Sequence, residues 1–171
     1  MRAQSKKLAA GSMLAALGVV VMLLGAVLSL GMYVCPMIVG LCLMPYGREY
    51  GVRSQLMVWI VISVLSFLLV PNPEENLMFA GLFGWYPAVH PILERVPKRL
   101  RWPVKLLVFN AVIIAIEALV IFVLVPEILD ASMLLLLLGL GNVMFVMYDR
   151  IIPKFPAIYE KYLKQLKQAP K

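Results

Sequence analysis

From Leu8 to Gly47 the chain runs forty residues without a Lys, Arg, Asp, Glu or His. Coiled as a helix at about 1.5 Å per residue, that run would measure roughly 60 Å, twice the thickness of a ~30 Å hydrocarbon layer. It therefore has to fold back on itself, and Ser29-Leu30-Gly31 near its middle is where the turn is expected. A chain of 171 residues that is 63% hydrophobic, with a mean hydropathy of +0.92, carries more apolar surface than one soluble core can enclose. Lipid is the solvent this composition calls for.

The same reading gives six spans, at about 8–30, 33–47, 52–70, 77–93, 103–125 and 131–150. All 16 basic residues fall before span one, between spans two and three, between four and five, or after six, which are alternate connections and so one face of the membrane. The opposite loops hold only Glu74, Glu75, Glu127 and Asp130. By the positive-inside rule both termini are cytoplasmic. The expected fold is an all-α integral membrane protein, a single six-helix domain over residues 1–171. Residues 154–171 form a basic amphipathic tail on the inner leaflet. A net charge of +7 is then explained by topology and anionic lipid, with no nucleic acid needed. Span one exceeds the ~7–15 residues of a signal-peptide core and is expected to stay in the mature protein.

Chemistry-bearing motifs are sparse. Cys35 and Cys42 sit seven apart on one helix, too far for a disulfide, and two Cys with one His form no zinc spacing. Neither a nucleophile elbow nor a phosphate-cradling loop is present, so no catalytic residue, metal or cofactor is assigned and no enzymatic activity is expected. His90 and Glu94, four apart near the basic end of span four, read as an ion pair reaching toward water, with a proton relay as the alternative.

Four segments carry more. In span one, Gly11, Ala15, Gly18, Gly25 and Ser29 line one side of a helix, and Ser12 and Ala16 make a parallel rung beside them. Helices in lipid associate where small side chains let backbones approach, so one stripe suits packing within the bundle and the second suits another chain. Span four, "MFAGLFGWYPAVHPILE", is broken by Pro87 and Pro91, with Trp85 and Tyr86 at the break. Discontinuous helices in membranes line cavities or pack against protein. Span five places Glu117 about 12 Å below its outer end, where an ionised carboxylate costs at least about 2.5 kcal/mol unless it has a partner, a cavity or a proton. Asn110 on the same face and Asn142 in span six lie at similar depth, either as a hydrogen-bond clamp or as two walls of an outward-facing cavity.

With its basic N-terminus running into "LAAGSMLAALGVV", then five more short spans and both ends inside, the chain resembles the substrate-binding S-component of energy-coupling factor (ECF) vitamin transporters. That family carries an Ala-xxx-Ala rung in its first helix. Matching "MLAAL" puts Ser12 and Ala16 on the rung, with Ser in place of the first Ala. The resemblance implies an S-component-like bundle in a bacterial plasma membrane. Its partners would be a transmembrane coupling subunit docked on Ser12, Ala16, Gly11 and Ala15, and two cytoplasmic ATPases. Substrate ligands do not carry over between members. From this sequence's own polarity the candidates are Glu117, Trp85, Tyr86, Asn110 and Asn142, capturing a small vitamin-like nutrient, with "PNPEEN" as a lid. The alternative is a six-span scaffold similar to bacterial cell-shape proteins, and a small intramembrane enzyme stands third.

Overall fold

The computed structural model describes residues 2–28, 31–123 and 131–159. The expected turn at Ser29-Leu30, the loop with Glu127 and Asp130, and the tail beyond 159 lie outside the described residues. Among those described, every regular element is helical. They are α1 (Arg2–Val27), α2 (Gly31–Tyr50), α3 (Val52–Leu69), α4 (Pro73–Met78), a π-helical segment (Phe79–Phe83), α5 (Tyr86–Leu93), α6 (Lys98–Val123) and α7 (Ala131–Ile151). Among the described residues, three helices are long and apolar enough to cross a membrane, over Gln4–Val27, Val52–Leu69 and Lys98–Val120.

Two packing units share α2. In the first, α1, α2 and α3 pack through Ala15, Val19, Met22, Val39, Leu43, Val58 and Ile62, joined by Phe79 of the π segment. The glycine stripe of α1 makes this possible, because a side chain at Gly18 would press on Val39 and Ile62 and one at Gly11 on Tyr46 and Val58. Gly51 turns the chain between α2 and α3 at φ +90°, a backbone conformation that side-chain-bearing residues rarely adopt.

The second unit, formed by α4 to α7 against Leu41 of α2, is aromatic. Phe109 and Phe145 stack at 4.4 Å, and Tyr86 meets Phe145 edge-on at 5.1 Å.

Span four is organised differently from the single proline-broken helix expected. Its first helix starts earlier, at Pro73, because the Asn72 side chain accepts from the backbone N–H groups of Glu74 and Glu75, and Pro at the first position needs no donor. The interruption falls at Gly84–Trp85, after the π segment. Pro87 lies in the first turn of α5, where its missing N–H costs nothing. The carbonyl of Phe83 that Pro87 leaves free accepts the hydroxyl of Tyr148 at 3.0 Å. Gly40 of α2 lets that pair approach, since a side chain there would collide with both groups.

Antiparallel packing sorts polar residues to two ends. Tyr46 near the end of α2 donates to the Lys7 carbonyl near the start of α1, and the end of α5 meets the start of α6 and the end of α7. This is the basic end. At the other, Tyr33 and Cys35 near the start of α2 meet Glu74, Glu75 and Gly25.

Candidate functional site

Polar chemistry collects at both ends, in different states. At the basic end, Lys105 of α6 is buried, 1% exposed, although it stands in the connection expected to be wet. Its ammonium donates to Glu94 Oε1 at 2.6 Å and to Asp149 Oδ2 at 2.8 Å, and lies 3.3 Å from His90 Nε2, which accepts from it only in the tautomer whose Nε2 carries no hydrogen. The phenol of Tyr86 donates to Asp149 Oδ1 at 2.5 Å, and His90 Nε2 stands 3.3 Å from the same oxygen. Arg101 closes the group, 2.6 Å from Glu94 Oε2 and donating to the Glu94 carbonyl. Lys105, by its hydrogen bond, holds the Glu94 carboxyl below its ordinary range even though partial burial works the other way.

Three helices are thereby tied by one network: α5 through Tyr86, His90 and the adjoining Glu94, α6 through Arg101 and Lys105, α7 through Asp149. One ligand atom each of His90, Glu94 and Asp149 lies within 4.8 Å of the others, a spacing that suits a metal ion. The Lys105 ammonium bonds the same carboxylates, so a tethered cation fills that position. The i, i+4 pair His90 and Glu94 is present at 3.6 Å, but it is the edge of this network and His90 is buried. The sequence does not single out Lys105 or Asp149, because Lys105 adjoins the basic connection and Asp149 stands at the end of span six beside Arg150. Opposite charges at matching depth in the ends of two adjacent spans were the available signal.

At the opposite end two of the carboxylates, Glu75 and Glu117, have oxygens without a partner among the described residues. Glu75 is 0% exposed and neither of its oxygens has a hydrogen bond among the described residues. It lies against Gly25, where a side chain would overlap its Oε1, and beside Cys35. Burial alone pushes its carboxyl up to about 7. Asn76 next to it donates to the Val70 carbonyl at 3.1 Å, while its own oxygen is unbonded. Glu74 accepts the Tyr33 hydroxyl at 2.5 Å and is a charged neighbour of Glu117 in α6. Glu117 is 8% exposed and its Oε1 also lacks a partner.

The five residues proposed from sequence as one pocket are therefore distributed. Glu117 sits with Glu74 and Tyr33. Asn110 and Asn142 bond each other in both directions, at 3.0 and 2.9 Å, and each also donates to the carbonyl four residues earlier. Trp85 donates to the Gly81 carbonyl at 2.7 Å, within its own broken segment. Tyr86 belongs to the network at the basic end. On α1, Gly11 and Ala15 are buried inside the bundle, whereas Ser12 and Ala16 are exposed, together with Met13 and Leu17. Comparison with known protein families, with characterised proteins and with solved structures gives no match to this chain.

Proposed function

We propose that this chain is the membrane-embedded capture subunit of an ECF-type importer, six spans with both termini inside, binding a small amine-bearing or ring-nitrogen nutrient from outside. The observation that carries the capture reading is Glu117, a buried carboxylate with an unbonded oxygen in a helix long and apolar enough to cross a membrane. Removing such a group from water without a partner costs several kcal/mol by order of magnitude, and a cationic or hydrogen-bond-donating ligand supplies the partner. Tyr33 and Glu74 offer further polar contacts beside it. The α4 helix, with its N-cap at Asn72, is the segment that would close over a ligand. In this reading the network around Lys105 holds the inner side shut.

Docking of a coupling subunit is supported by the division of small residues on α1. The inner stripe is used by Tyr46, Val58, Val39 and Ile62, which leaves the Ser12–Ala16 rung free for a helix from another chain. A scaffold without a ligand is the second reading. The reciprocal Asn110–Asn142 pair favours it, since two candidate ligand contacts already satisfy each other.

Tagged full-length protein purified from native membranes in mild detergent tests the docking. A coupling subunit and two ATPases are expected with the parent and lost with Ser12→Leu/Ala16→Leu, whose unfolding should stay within about 0.5 kcal/mol of the parent because both sites are exposed. Gly18→Leu is the contrasting variant, expected to cost about 1–3 kcal/mol through overpacking against Ile62 and Val39. Cell-wall or cytoskeletal partners instead would favour the scaffold, and co-purification unchanged by the rung substitutions would end the docking assignment.

A further inference from the structure

Beside the network at the basic end lies a cavity of about 340 Å³, lined by His90, Glu94, Asp149, Arg150, Pro153 and Lys154. Two carboxylates are among the lining groups. Glu94 is neutralised by Lys105 and Arg101 and Asp149 by Lys105, all at 2.6–2.8 Å. The cationic groups at its rim are different. Arg150 and Lys154 are exposed, and neither has a carboxylate within ion-pair distance among the described residues. Two acids balanced by two bases in the floor leave the rim to set the sign of the potential, and that sign is positive. His90 adds a ring nitrogen as a donor or acceptor.

We infer that this cavity is a binding site for a phosphate group of net negative charge, as in phosphatidylglycerol or free phosphate and unlike zwitterionic phosphatidylcholine. A guanidinium presents paired N–H donors to two phosphate oxygens, and an ammonium adds a mobile point charge. The surroundings favour a phosphate carried on a lipid over free phosphate. Met147 and Ile151 on α7 and Ile92 on α5 are exposed apolar side chains within a turn of the lining residues, an arrangement that suits acyl chains running up from an anchored headgroup. On the topology proposed above, the cavity opens at the inner leaflet, where anionic lipids concentrate. The phosphate chemistry itself does not depend on the importer reading, because it rests on the rim charges and the cavity alone.

Thermal unfolding of the full chain tests this with two probes: phosphatidylcholine nanodiscs with and without phosphatidylglycerol, and inorganic phosphate added in detergent at constant ionic strength. Phosphatidylglycerol is expected to raise the unfolding temperature by about 2–4 °C, the size of shift that binding at several times Kd gives a protein of this length. Arg150→Gln/Lys154→Gln should lose most of that rise while unfolding like the parent in pure phosphatidylcholine. Arg95→Gln/Arg99→Gln, which removes two exposed charges outside the cavity, should keep it. A rise with inorganic phosphate as well, lost in the same double variant, assigns the site to phosphate from either source. No rise with either probe, or a rise of equal size in Arg150→Gln/Lys154→Gln, overturns the inference.

Discussion

At the basic end Lys105 is enclosed and its ammonium donates to two carboxylates within 2.8 Å, whereas at the opposite end Glu75 is enclosed with neither oxygen bonded among the described residues. Both ends take an ionisable group out of water, but among the described residues only the basic end answers it with partners. The satisfied end draws its partners from α5, α6 and α7, so it fixes how those helices sit together. The other end sets Glu74, which accepts from Tyr33, in the field of Glu117, while Glu75 faces Gly25 and Cys35. A network that closes on itself suits a latch. Acceptors left open among the described residues suit a site completed by a proton or a bound solute.

Breaking the latch should have the largest effect. Lys105→Met leaves Glu94 with Arg101 but leaves the buried Asp149 carboxylate with Tyr86 and His90 and without its ammonium partner, with a loss of about 3–5 kcal/mol in detergent unfolding. Lys105→Met/Asp149→Leu should recover much of that, because the carboxylate is gone as well, and a double variant no better than the single would show that packing rather than charge is at stake.

The opposite end should respond to pH with a definite sign. The Glu75 carboxyl rises from an ordinary 4.5 to about 7 in the folded chain, so between those values the folded state binds more protons than the unfolded state. Stability contributed by the neutral form is therefore present at about pH 4.5 and is lost as pH rises through about 7. Glu75→Gln should remove that loss, gaining about 1–3 kcal/mol at about pH 8 and little at about pH 5, read from unfolding curves across that range. Equal effects at both pH values would remove the contrast between the two ends.

The Asn110–Asn142 pair, neutral and fully reciprocal, is the reference case. Asn110→Ala should cost about 0.6 kcal/mol, typical of a hydrogen bond between helices in lipid, with no pH dependence. A larger, pH-dependent cost would mean that this pair is coupled to one of the charged ends.

The all-helical class could be read from hydropathy, since a backbone in lipid has to satisfy its own hydrogen bonds. The two small-residue faces of α1 were legible because helical spacing alone separates Gly11, Ala15 and Gly18 from Ser12 and Ala16. The long-range pairings were not. Nothing in the spacing of Tyr86, Lys105 and Asp149 announces that they meet, because the meeting depends on how α5, α6 and α7 pack. Polarity at a given depth marked Glu117 and Asn110 alike, yet one is left unbonded and the other is answered by Asn142. Depth alone does not distinguish a polar group with a partner in the next helix from one without. The start of α4 was equally hidden, because the Asn72 cap and Pro73 sit in a stretch that reads as loop.

The most direct test is thermal unfolding of the purified full chain at about pH 7.5 against amine-bearing and ring-nitrogen vitamins and modified bases, with Glu117→Gln beside the parent. A ligand that fills the open acceptors should raise the parent's unfolding temperature in a concentration-dependent way and leave Glu117→Gln nearly unmoved. If no solute shifts the parent, or if Glu117→Gln shifts as far as the parent does, Glu117 is not the capture site and the scaffold reading takes its place.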